Sequence, residues 1–162
     1  MRNYIKIANK YIEDVLSNKI PTCRYVKQAC QRQVKDLKRK SWAYHFDITL
    51  ACRVCKFIEV LTHVKGPKAG ENIKLEPWQI FILTTVFGWV DKNNLRRFQQ
   101  VYIEVPRGNG KSALSSGVGL YMLCADNEKG ADVYSFATTR DQAKIVFGDA
   151  QAMARANQQL KD

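Results

Sequence analysis

Val101-Tyr102-Ile103-Glu104-Val105-Pro106-Arg107-Gly108-Asn109-Gly110-Lys111-Ser112 is the stretch on which the reading of this chain turns. An apolar, β-prone run enters a short loop ending Gly-Lys-Ser. A helix-prone run, Ala113-Leu114-Ser115-Ser116-Gly117-Val118-Gly119-Leu120-Tyr121-Met122-Leu123, comes after it. Strand, loop and helix in this order form the context that makes Gly-Lys-Ser a phosphate-binding motif. The loop amides and the helix N-terminus can face an anion. Lys111 can reach the β- and γ-phosphates of a nucleotide, and the Ser112 hydroxyl can hold Mg²⁺.

The stretch departs from the usual pattern twice. Val105 stands where the first Gly belongs, and Arg107 puts an extra cation inside the loop. An ordinary turn from strand to helix, with Lys111 a solvated charge, is the competing reading. The strand–loop–helix context favours the nucleotide site.

A length of 162 residues suits one domain, or a small module with part of another. Apolar residues make up 46% and charged residues 25%, a globular composition that excludes wholesale disorder. The absence of an 18-residue apolar run argues against a membrane span. No apolar segment succeeds the charges of Met1-Arg2-Asn3-Tyr4-Ile5-Lys6, so no secretory signal is visible. The net charge of +11 is unevenly placed. Residues 1–74 carry 16 Lys and Arg against 6 Asp and Glu, and residues 75–162 carry 10 against 9. A polyanionic partner for the N-terminal half is the natural inference, with a solubilising helix surface as its rival.

Five cysteines without an export signal imply reduced thiols in a cytosol. Cys23, Cys30, Cys52 and Cys55 could be drawn as a zinc site. The six residues between Cys23 and Cys30 exceed the usual spacing, and Cys52 and Cys55 lie inside a helical pattern. Buried structural thiols are the expectation. His45 and His63 lie outside any ligand spacing and read as surface or cap residues.

Apolar periodicity predicts a helix over 3–17, broken by Asn18-Lys19-Ile20-Pro21. Thr22 is expected to cap a second helix over 23–39. Its inner face would hold Val26, Ala29, Cys30, Val34 and Leu37, and its outer face Arg24, Lys27, Arg32, Lys35, Lys38, Arg39 and Lys40. This basic amphipathic helix is the best candidate for nucleic-acid phosphates, with Lys35, Lys38, Arg39 and Lys40 as the contact residues. Asp47 is expected to cap a third helix over 48–63. The turn-rich run at 65–72 marks a boundary at about 65–74, dividing a basic helical subdomain (1–70) from the rest (71–162).

The second part opens with Leu75-Glu76-Pro77-Trp78-Gln79, where Pro77 starts a helix that Gly88 can end. The run Val86–Asp91 also looks helical. A turn at 91–94, a strand at 99–105, the helix at 111–124, a strand at 131–137 and a helix over 140–157 complete the order. Thr139 with Gln142 would make a capping box, and Ala143, Val146, Phe147, Ala150, Met153 and Ala154 would face inward. The sum is an α/β fold: an α-helical N-terminal subdomain, then the start of a three-layer P-loop core of ASCE type with parallel strands. After residue 112 no apolar strand ends in an acidic pair, which such an ATPase needs to hold Mg²⁺ and activate water. The chain, ending on the polar run Gln158-Gln159-Leu160-Lys161-Asp162, is therefore expected to be a fragment that does not turn over ATP alone.

The chain resembles the large terminase subunit of tailed bacteriophages, in the branch of long, flexible-tailed phages and their prophages. The resemblance runs nearly end to end. It is carried by Ile12-Glu13-Asp14-Val15-Leu16-Ser17-Asn18-Lys19-Ile20, Lys56-Phe57-Ile58-Glu59, Leu75-Glu76-Pro77-Trp78-Gln79, the stretch Val105–Ser112, and Ala137-Thr138-Thr139-Arg140-Asp141-Gln142-Ala143. It implies an ATPase, using ATP and Mg²⁺, that pumps viral double-stranded DNA through a portal into a procapsid. A C-terminal RNase H-like nuclease is implied in the full-length protein. The implied partners are the portal protein, the small terminase subunit and further copies in a ring, in the cytoplasm of an infected or lysogenic bacterium and without a membrane.

In that family the phosphate loop lacks the first Gly and carries an Arg, which accounts for Val105 and Arg107. The resemblance implies that Gln79, beside Trp78, reads the adenine edge. Trp78 serves as core or as a stacking face. Lys111 would neutralise β/γ-phosphate charge, Ser112 would bind Mg²⁺, and the Gly108, Asn109 and Gly110 amides would cradle phosphate. Arg107 would report or catalyse hydrolysis as a cis arginine finger, or bind phosphate alone. Arg140 is a weaker candidate, with a surface role at the helix start as its rival. A non-enzymatic basic module that binds DNA or docks on a protein, and a small nucleotide kinase, are the alternatives. The kinase reading lacks a lid region with arginines.

Overall fold

A computed structural model describes residues 2–160. In chain order it contains α1 (Tyr4–Leu16), α2 (Arg24–Leu37), β1 (Tyr44–Phe46), α3 (Ile48–Val60), α4 (Pro77–Gly88), β2 (Trp89–Asp91), α5 (Lys111–Cys124), α6 (Arg140–Ala156) and a 3₁₀ turn (Gln158–Leu160). The described residues are mixed α/β, mostly helical, with one small sheet. Lys161 and Asp162 of the polar end lie outside the described residues. Two compact units form, one from residues 1–55 and 76–102, the other from 56–75 and 103–162.

In the first unit, Asn3 caps α1 by accepting from the Lys6 amide at 2.9 Å. Asn18, in the left-handed region at φ 61°, takes the chain out of the helix at the expected break. The apolar stripe of α1 packs on α4, and Ile12, Val15, Cys30 and Phe81 form a buried cluster. Tyr11 and Phe81 meet ring to ring at 5.5 Å. Asp47 caps α3 as expected, accepting from the Leu50 amide at 2.9 Å.

The structure corrects several expectations in this unit. Cys23, not Thr22, is the N-cap of α2, and its side chain makes no capping bond. Cys23 is accordingly exposed, whereas Cys30 and Cys55 are buried. The inner face of α2 is also different. Leu37 is exposed, while Gln33 and Asp36 are buried. The reason is partner supply: the Trp89 indole donates to Gln33 Oε1 at 2.8 Å, and Arg97 donates to Asp36 at 2.6 Å. A buried polar group is tolerable when it is satisfied in this way.

The run after Phe87 does not stay helical. Trp89–Asp91 is β2, paired antiparallel with β1 in the register Tyr44↔Asp91, His45↔Val90, Phe46↔Trp89. Gly88 permits this switch. Its carbonyl accepts from the Asp47 amide at 2.7 Å, and a Cβ there would lie 2.5 Å from the Phe46 ring. The Asp91 turn then forms as expected, with Asp91 Oδ1 accepting from the Asn93 and Leu95 amides.

In the second unit, α5 packs on α6 and on the last turns of α3. A Cβ on Gly117 would sit 3.2 Å from Ile58, so glycine allows the close approach of α5 to α3. Phe57 and Tyr121 meet edge to face at 5.6 Å. Ser116 donates to the Val146 carbonyl at 2.8 Å, tying α5 to α6. Residues 61–73 fold back as a hairpin-like loop, with Ile73 bonded to Leu61 and His63 to Glu71. Lys65 Nζ lies 2.6 Å from Asp149 Oδ1, an ion pair by distance that is off the hydrogen-bonding direction.

Thr139 caps α6 through the Gln142 amide, and the Gln142 side chain accepts from the Thr138 hydroxyl at 2.8 Å. Met153 is buried as expected, but Phe147 is 62% exposed and Asp149 is buried.

The expected parallel strands are a further correction. Residues 99–105 and 131–137 carry no ladder, and among the described residues the sheet is β1 with β2 alone. Val101, Tyr102, Val133, Tyr134 and Phe136 are all exposed. Strand stability comes from lateral hydrogen bonds and from neighbours on the pleated face, and a two-stranded ribbon supplies little of either. A β-prone run without a partner strand therefore stays outside regular structure.

Candidate functional site

The loop of the second unit is built by two left-handed glycines. Gly108 has φ 82° and Gly110 has φ 71°. At Gly108 an added Cβ would meet nothing within 4 Å, so backbone conformation, and not crowding, selects glycine there. Gly110 is the N-cap of α5 and has no side chain to cap it. The first-turn amides of a helix have no intrahelical acceptors, and here no capping oxygen stands before them. That arrangement, with the helix dipole behind it, is suited to an anion.

Asn109 braces the loop from inside. Its Nδ2 donates to the Pro106 carbonyl at 3.2 Å and to the Arg107 carbonyl at 3.3 Å. Both bonds draw carbonyl oxygens to a side chain and leave amides for a ligand. Arg107, Gly108, Asn109, Gly110 and Lys111 are exposed, and Ser112 is half-buried. Behind them Leu114, Ser116, Gly117, Leu120 and Tyr121 are buried and anchor α5. A glycine-rich loop is thus mounted on a packed helix, and Arg107, Lys111 and Ser112 are grouped by chain proximity at its start.

Trp78 and Gln79 belong to the first turn of α4, in the first unit. Gln79 is only 8% exposed, and its Oε1 accepts from the Glu76 amide at 2.9 Å in a reciprocal capping box. Trp78 is half-buried. Gln79 therefore has a structural task at the helix start. Arg140 is exposed at the first position of α6.

On the basic face of α2 and just beyond it, Lys35, Lys38, Arg39 and Lys40 are all exposed. Arg39 lies 4.6 Å from the centre of the Trp42 ring. Sequence patterning did not reveal the polar layer beneath them: Gln33, Asp36, Trp89 and Arg97. Its only legible signal was the tryptophan and arginine content of 89–98, since the pairing spans 56 and 61 residues.

Among the described residues no three His, Cys, Asp or Glu side chains are grouped to hold a metal ion, and no helix is long and apolar enough to cross a membrane.

A family model described as "Terminase large subunit, ATPase domain" matches residues 77–162. The chain is also similar to "Terminase, large subunit" of Enterobacteria phage HK97, with 29% identity over 112 residues. That match covers 68% of this chain and 21% of the phage protein, so the chain spans a small part of its relative's length. No solved structure matches it.

Proposed function

The chain belongs to the terminase large-subunit family, in its ATPase domain, and from that premise we propose that Val105–Ser112 is the phosphate loop of an ATP-driven DNA-packaging motor. The single observation that supports this most is the uncapped start of α5 behind two left-handed glycines. This donor set fits a polyphosphate: backbone amides from Gly108, Asn109 and Gly110, a lysine, and a hydroxyl. Lys111 neutralises charge on the β- and γ-phosphates, and Ser112 would hold Mg²⁺, which supplies bridging charge on the same oxygens. Arg107 meets the γ-phosphate. Asn109 keeps the amides presented through its bonds to Pro106 and Arg107. Gln79, with Trp78, reads the base through the amide nitrogen left over from the capping box.

In this reading residues 71–162 carry the first part of the ATPase core and residues 1–70 a basic helical subdomain facing double-stranded DNA through Lys35, Lys38, Arg39 and Lys40. The full-length motor works in the bacterial cytoplasm as a ring with portal and small subunit, and a separate nuclease region cuts the DNA. Equilibrium binding of a fluorescent ATP analogue to the chain, with and without Mg²⁺, tests the loop. Lys111→Ala should abolish saturable binding while the far-ultraviolet spectrum stays unchanged. Unaltered affinity in that variant would refute the assignment. Because residues 113–162 contain no apolar strand ending in an acidic pair, this chain should bind nucleotide without appreciable phosphate release.

A further inference from the structure

Around the C-terminal end of α2 the first unit holds an alternation of arginines and aromatic rings. Arg32 lies 5.0 Å from the centre of the Phe98 ring, and Arg97 lies 4.8 Å from the same ring. Arg97 is also 4.5 Å from the centre of the Trp42 ring, which Arg39 approaches at 4.6 Å. The order of contact is Arg32, Phe98, Arg97, Trp42, Arg39. The carboxylate set among these three guanidinium groups is Asp36, and it is buried and bonded to the inner arginine at 2.6 Å. Arg32 and Arg39 are exposed and have no ion-pair partner among the described residues.

We propose that this arginine–aromatic array is a docking surface for the phosphate backbone of nucleic acid, with Arg32 and Arg39 as its contact groups and Arg97 as the residue that positions them. The proposal deepens the packaging reading and rests on DNA being the partner.

The array suits a polyanion on three physical grounds. First, the inner ion pair consumes Asp36, so the outer cations repel one another and gain from a polyanion. Second, a guanidinium lying on a ring loses little of its hydrogen-bonding edge, and that edge is the fork that matches phosphate. The rings thereby fix, ahead of binding, side chains that would otherwise lose rotamer entropy on contact. Third, Arg32 and Lys35 lie one turn apart on α2, and Arg39 stands just past the helix end at Leu37, so the cations make a basic stripe along and beyond its C-terminal end. Duplex DNA offers a phosphate about every 1.7 Å of axis over its two strands, so such a stripe meets phosphates without a sequence requirement. The surroundings match: the first unit has 15 Lys and Arg against 6 Asp and Glu, a net +9 of the chain's +11.

The test measures binding of the whole chain to a fluorescein-labelled 30-base-pair duplex by anisotropy across a salt series. Arg32→Gln with Arg39→Gln should weaken binding to all sequences alike and lower the slope of log K against log salt by about 1.8, two phosphate contacts at about 0.9 each. Lys68→Gln with Lys92→Gln removes the same charge from elsewhere on the surface and should leave the slope in place. Arg32→Lys with Arg39→Lys should keep the slope but bind more weakly, since lysine lacks the stacked fork. An unchanged slope in the Gln pair, or equal losses in both Gln pairs, overturns the surface while the unmutated chain's DNA binding upholds the packaging reading. Absence of salt-dependent duplex binding by the unmutated chain counts against the DNA partner, and the surface goes with it. Equal competition by polyglutamate at matched charge would assign the array to an acidic protein and overturn the proposal as well.

Discussion

Replacing Arg97 by Met should unlock the polar layer of the first unit. The Arg97 side chain is 18% exposed and that of Asp36 is 7% exposed, at a separation of 2.6 Å. Removing one member of such a pair leaves a charge with neither water nor partner, a cost of about 3–5 kcal/mol when fully buried. The residual exposure of Arg97 places this pair at the lower end, about 3 kcal/mol. Lost stacking on Trp42 and Phe98 adds roughly 1 kcal/mol. Methionine preserves much of the apolar stem, so packing loss is small. Urea unfolding monitored by tryptophan fluorescence is the suitable assay, because Trp42, Trp78 and Trp89 all lie in this unit. A double-mutant cycle with Asp36→Asn should return a coupling of at least about 1.5 kcal/mol, as interacting buried partners do. If Arg97→Met costs under about 1 kcal/mol and adds to Asp36→Asn without coupling, the pair does not hold this layer together and the reasoning fails.

Two further outcomes come from local geometry. Gly88→Ala would place a methyl 2.5 Å from Phe46 Cε2 and 2.9 Å from the Ala51 Cβ. It should destabilise by about 1–3 kcal/mol in the same urea assay, as overpacking does, and a change within about 0.5 kcal/mol would contradict the tight junction of α4, β1 and β2. Burial pushes the Cys30 thiol up to about 11. At pH 8 roughly one thiol in a thousand would be thiolate. Alkylation mapped by mass spectrometry should label exposed Cys23 and Cys124 first and Cys30 only after unfolding. Early labelling of Cys30 would contradict its burial.

Much of this was legible along the chain because the determinants are local. The α1 stripe repeats every three to four residues, Asp47 caps α3, Pro77 starts α4, and Thr139 caps α6. The glycine-rich loop is likewise a local device, since positive φ at Gly108 and Gly110 is available to glycine without help from distant residues. The likeness of these segments to terminase large subunits was therefore readable from the order of residues, and the ATPase-domain match bears it out.

Tertiary structure alone decided the features that depend on distant partners. Asp36 and Gln33 look like outward residues of an amphipathic helix until Arg97 and Trp89 arrive from 61 and 56 positions away. Leu37 then turns outward although its side chain is apolar. Trp89–Asp91 becomes a strand because Tyr44–Phe46 lies beside it, while the more β-prone runs at 99–105 and 131–137 form no ladder among the described residues. A helix can satisfy its backbone within one segment, so periodicity reveals it. A strand or a buried charge is completed by another segment, and only the folded chain supplies that partner.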